Sequence, residues 1–126
     1  MTDQITISYE GDHVLALSNG EKNYQSVVSL WTKVRNACVE NKCFDVLGIA
    51  ETTVPIETSD ALKIADVFDD LGIDAKFRIA WVEINPEAYR TAFFVESVLA
   101  NNGFSAGRVF LDVAEAREWL LRASRT

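Results

Sequence analysis

The sequence predicts an α/β domain: one mixed β-sheet, opened by an N-terminal hairpin and continued by alternating β-α units, packed with about four helices. Three observations predict it. Two short strand-like runs at the start are joined by a Gly-containing turn. Beyond them, short apolar runs alternate with longer segments whose apolar residues recur at helical spacing. The residues between segments are those that start and stop helices. Alternation of this kind implies right-handed crossovers and a largely parallel sheet, with the hairpin as one antiparallel edge.

Each element has a local reason. Ile5, Ile7 and Tyr9 alternate with Thr6 and Ser8, the period of a half-buried strand. Glu10-Gly11-Asp12 turns the chain, Val14 to Leu17 form the second strand, and Ser18-Asn19-Gly20 ends it. Asn23 caps a helix over 24–41, whose buried stripe is Val27, Val28, Trp31, Val34 and Cys38. Phe44, Val46, Leu47, Ile49 and Ala50 form a nearly continuous apolar run, as in a strand covered on both faces. Residues 51–57, with Pro55, read as a loop. Thr58 or Ser59 caps the next helix, Asp60 suits its first turn, Leu62, Ala65, Phe68 and Leu71 form its stripe, and Gly72 closes it. Phe77, Ile79, Trp81 and Val82 mark a strand. Asn85-Pro86 starts a helix carrying Tyr89, Ala92, Phe93, Glu96 and Leu99, and Gly103 ends it. Val109 to Leu111 form the last strand. Asp112 and Glu115 stand at capping-box spacing before a final helix with Ala116, Trp119 and Leu120. No repeat or linker divides the chain, so residues 1–126 read as a single domain.

Composition narrows the function classes. The 126 residues are 48% hydrophobic and 25% charged, which excludes a disordered or low-complexity chain. No apolar run approaches the roughly 18 residues of a membrane span. MTDQITISYEGD lacks the basic start and apolar stretch of a secretory signal, so a cytoplasmic location is expected. The net charge of −7 repels nucleic acid and anionic membrane surfaces.

Few residues suggest chemistry. Cys38 and Cys43 lack metal or redox spacing and read as free thiols. His13 is the lone histidine, beside a turn, with no second ligand type clustered near it. No metal, cofactor or catalytic set is expected. Nucleotide cradles of the GxGxxG and Walker kinds are missing, and the glycines are isolated. A receiver domain of two-component signalling needs an aspartate at the end of a central strand and a lysine after the last. Asp45 instead starts its strand, and no such lysine follows Asp112. Asp69-Asp70 are adjacent on a helix and point apart, so they read as a solvated face. Trp31, Trp81 and Trp119 lie on three elements and read as core or rim packing. Phe93 fits a buried stripe, whereas Phe94 is rotated off it, toward a partner or lipid contact or a broad buried face.

The most suggestive segment is ETTVPIETSDAL, residues 51–62. It joins a central strand to a helix N-terminus, where open α/β sheets bind ligands and helix dipoles favour anions. It offers four hydroxyls, on Thr52, Thr53, Thr58 and Ser59.

The hairpin, the alternating order and the strand-loop-helix FDVLGIAETTVPIETSDAL resemble a STAS domain, and more narrowly the SpoIIAA-like proteins, over nearly the whole chain. The resemblance implies a non-enzymatic bacterial module acting through protein contacts, with residues 52–57 and the following helix turns as its surface. In antagonists of that family the helix begins with an Asp-Ser-Ser-Gly-Leu type motif whose serine is phosphorylated, and Ser59 matches the acceptor. Glu57 and Asp60 depart from that motif, and Asp60 opposes phosphorylation electrostatically, which favours capping at Ser59. SpoIIAA-like relatives also resemble Sec14-type domains, which implies a small apolar ligand or lipid as the alternative. A deep apolar cavity with a few polar groups favours that alternative; a flat patch at 52–62 favours protein contact. A second copy of the chain stands among the candidate partners, and neither nucleic acid nor an integral membrane segment is expected.

Overall fold

The computed structural model describes residues 4–123 and follows the expected order with two changes. Strands β1 (Gln4–Tyr9) and β2 (Val14–Glu21) form the hairpin, followed by α1 (Tyr24–Asn41) and β3 (Asp45–Val54). A short α2 (Thr58–Ala61) and α3 (Ile64–Leu71) lead to β4 (Arg78–Glu83), α4 (Pro86–Asn101), β5 (Gly107–Phe110) and α5 (Val113–Ala123). The sheet runs β1-β2-β3-β4-β5, antiparallel at β1-β2 and parallel from there on, as the alternation predicts.

Adjacent strand residues separate into two cores. Val46 and Ile79 join α1, α3 and α4 on one face, through Trp31, Val34, Phe68 and Leu99. Leu47, Ala80 and Val82 join Ala116 and Leu120 of α5 on the other. The four helices of the three crossovers thus share one face, and α5 packs on the opposite face.

The caps are as expected where they are local. Asn23 forms a reciprocal capping box with Ser26, Asn85 accepts from the Glu87 N–H at 3.1 Å, and Asp112 accepts from the Ala114 N–H at 2.9 Å. Gly72 closes α3 at φ 72°, a conformation open to glycine.

The first change concerns residues 51–57. The chain does not leave the sheet at Glu51; β3 continues to Val54 because β2 continues to Glu21 beside it. Gly20 pairs with Thr52, Glu21 pairs with Val54 across a register shift, and the Lys22 N–H donates to the Val54 carbonyl at 2.9 Å. The β-branched Thr52, Thr53 and Val54 suit that extension.

The second change divides the helix after Pro55. α2 ends in a tight turn in which the Lys63 N–H donates to the Asp60 carbonyl at 3.0 Å. The turn rephases the helix, so Ile64, Ala65, Val67 and Phe68 enter the core while Leu62 is 55% exposed. The N-cap is Glu57, with no side-chain cap bond, so Thr58 and Ser59 lie inside the helix and do not cap it. Two smaller corrections follow the same logic. Phe93 is 53% exposed, because the inward row of α4 runs through Ala88, Ala92, Val95 and Leu99. Leu111 lies beyond the last strand and is exposed.

Candidate functional site

Between α1, α3 and α4 and the facing side of β4 and β5 lies a cavity of about 100 Å³ that reaches the carboxyl ends of β2, β3 and β4. Its wall is mostly apolar and in good part aromatic. Trp31 meets Phe68 edge-on at 5.0 Å and Trp81 at 5.3 Å, and Phe68 meets Phe104 at 5.3 Å. Trp81 can lie across the sheet because its cross-strand partner is Gly48; a Cβ there would collide with the indole ring.

The polar groups gather at the strand ends. Thr52 is 3% and Glu83 5% exposed, and both line the cavity with buried Lys22. Strand parity places them: Ile79, Trp81 and Glu83 share the face that looks toward the crossover helices. The Trp81 indole N–H donates to Glu83 Oε2 at 3.1 Å, and Lys22 Nζ donates to Ser18 Oγ at 2.7 Å. Burial pushes the Glu83 carboxyl above its ordinary range; the nearby Thr52 hydroxyl, the Trp81 N–H and the Lys22 charge offset part of that rise. The Thr52 hydroxyl lies close enough to the carboxyl to favour its ionised form, yet no well-formed hydrogen bond joins the two. Thr52 Oγ1 and Glu83 Oε1 are therefore both buried without a partner. Such groups are rare in folded proteins and call for an explanation.

Two contacts fix α4 over the cavity. Asn85, the cap of α4, donates from Nδ2 to the Thr52 carbonyl at 2.9 Å and so ties α4 to the end of β3. Glu96 accepts the Val109 N–H at 2.8 Å, joining α4 to β5.

A crystal structure of an uncharacterized DUF3478-family protein from Shewanella loihica PV-4, which has a SpoIIAA-like fold, matches this chain with a TM-score of 0.54. The match covers 94% of this chain and 93% of that one, at 14% identity. The fold is SpoIIAA-like. No protein-family model matches the chain, nor does any curated protein at a significant level. At this identity the likeness is one of architecture.

Within this SpoIIAA-like frame, the four sequence candidates separate. Thr52 lines the cavity. Thr53, one residue on, has the opposite strand parity and is exposed. Thr58 and Ser59 are exposed on α2, and neither lines the cavity. Ser59 does fall in the first turn of the helix that follows β3, where the resemblance places an acceptor. Glu83, Lys22 and the converging Trp31 and Trp81 were not among the candidates. Glu83 had a signal in the sequence, a carboxylate in the same strand phase as Ile79 and Trp81. Lys22 had none, since its position depends on the extension of β2.

The other reactive side chains lie at the opposite ends of the strands. His13 is buried just before β2, its Nδ1 2.6 Å from Asp12. Cys38 and Cys43 are free, at the end of α1 and just before β3. Burial pushes the Cys38 thiol up to about 12, so it stays protonated near neutrality. Among the described residues no group of three metal-ligating side chains occurs, and no helix is long and apolar enough to cross a membrane.

Proposed function

We propose that this SpoIIAA-like domain binds a small, largely apolar molecule whose one polar group reaches Thr52 and Glu83. One observation carries the reading: an aromatic-walled cavity ends at two buried polar atoms that the protein leaves unpartnered. Unpaired buried polar atoms are costly, and a ligand or water that satisfies them recovers that cost. The cavity also sets a size. An apolar cavity of about 150 Å³ accepts benzene, whereas drug-sized sites occupy about 300–1,000 Å³. A cavity of about 100 Å³ therefore takes one small ring or a short chain end, and any larger part of a ligand would stand outside it.

The reading is of a binding domain and not of an enzyme. The separation of His13, Cys38 and Cys43 from Glu83 along the strands supports it, since nucleophile and base would have to meet within hydrogen-bond reach. The protein-contact reading rests on a different surface, the exposed Thr58, Ser59 and Leu62 beside the cavity.

Amide NMR of the labelled chain titrated with toluene tests the proposal. Shifts are expected at Thr52, Thr91, Gly107 and Val109, which line the cavity. If toluene moves no cavity amide, or only exposed ones, the proposal fails.

A further inference from the structure

We infer, on the strength of the binding reading above, that the ligand is a neutral single-ring alcohol or phenol, its hydroxyl bonded to Glu83 Oε1 and Thr52 Oγ1. The walls select the ring. Trp31, Phe68, Trp81 and Phe104 present faces and edges to one small space, and aromatic groups gain from edge-to-face and offset contacts beyond their area.

The polar end selects the hydroxyl. Thr52 Oγ1 and Glu83 Oε1 are the two orphaned atoms in the cavity. A threonine hydroxyl donates and accepts; a carboxyl oxygen accepts when ionised and donates when protonated. A ligand hydroxyl also does both, so it satisfies the two groups together in either state of Glu83. A group that only accepts meets both of them only while Glu83 is protonated, and a group that only donates meets both only while Glu83 is ionised.

Charge selects neutrality. Glu83 and Lys22 already act on each other at this end. An ammonium would be drawn by Glu83 but opposed by Lys22, and a carboxylate the reverse, so neither gains enough to offset its lost hydration. The remaining charged side chains of the lining do not alter this. Glu96 is bonded to the Val109 N–H, and Arg108 is exposed.

The test compares ligands of one shape on the full chain: toluene, phenol, benzylamine and benzoate, each titrated by amide NMR. Phenol is expected to bind about tenfold tighter than toluene, the effect of one well-made buried hydrogen bond. Benzylamine and benzoate are expected to bind more weakly than phenol. In Thr52→Val, which keeps the shape and removes the hydroxyl, phenol and toluene are expected to converge to within about twofold; Thr52→Ser is expected to keep the preference. Toluene binding as tightly as phenol in the wild type would overturn the inference and leave the cavity reading standing. So would a phenol preference that survives both Thr52→Val and Glu83→Gln. If no probe moves a cavity amide, both readings fail.

Discussion

A single missing methyl group shapes the cavity. Gly48 gives the Trp81 ring room to lie against the sheet, because any Cβ would occupy the same space as the indole carbons. Gly48→Ala must therefore tilt Trp81 toward the space that the ligand would fill. The expected result is a loss of about 1–3 kcal/mol in urea titration, typical of overpacking, together with loss of toluene binding. Unchanged stability and binding would show that the ring has another way to settle. Ser59 gives the opposite expectation. It is exposed and stands inside α2, not at its cap. Ser59→Ala should change stability by less than about 0.5 kcal/mol, the usual range for surface positions, whereas a larger loss would restore the capping role. The difference between these residues shows what a sequence can reveal. That Trp81 and Glu83 share a face follows from strand parity. That Gly48 lies opposite Trp81 follows only from the register of β3 on β4, which no local pattern encodes.

At the scale of elements, local chemistry was legible and pairing was not. Asn23, Gly72, Asn85 and Asp112 sit where their side-chain and backbone preferences act within a few residues, and each ends or starts a helix as expected. The extension of β3 to Val54 needed Gly20 and Glu21, some thirty positions away in the chain, to supply a neighbouring strand. The break at Leu62 and Lys63 reflects competition between one continuous helical stripe and burial of Ile64, Val67 and Phe68 beneath the sheet face. Those two changes are why only Thr52 of the four candidate hydroxyls reached the cavity. Asn85 joins the local and the long-range effects. Its side chain caps α4 and also holds the Thr52 carbonyl. Asn85→Ala should cost about 1–2 kcal/mol, the upper part of the range for a lost cap, since a second hydrogen bond goes with it. Amide exchange should speed up at both the start of α4 and the end of β3. Faster exchange in α4 alone would mean that the link to Thr52 is incidental.

Across the whole molecule, the sheet order places every crossover helix on one face and so buries the carboxyl ends of β3 and β4 beneath them, with Glu83 inside. That burial gives the protein a pH dependence of unusual sign for a carboxylate. Burial raises the Glu83 carboxyl above its ordinary 4.5, and Thr52, Trp81 and Lys22 offset the rise only in part. The folded chain then holds this proton more tightly than the unfolded chain. Between about 4.5 and the raised value the native state carries more protons, so stability falls as pH increases. The contribution is complete below the unfolded value and is lost as pH rises through the folded one. The net charge of −7 adds a general repulsion that also grows with pH, so the wild-type curve alone does not isolate Glu83. Glu83→Gln does, because it keeps an oxygen for the Trp81 N–H and removes only the titration. Urea midpoints of both proteins from pH 4.5 to 8 should diverge, with the variant gaining on the wild type as pH rises and the gap levelling off once Glu83 is ionised in both states. Parallel curves would mean that Glu83 titrates alike in the folded and unfolded chains, and that water reaches its carboxyl freely despite the helices above it.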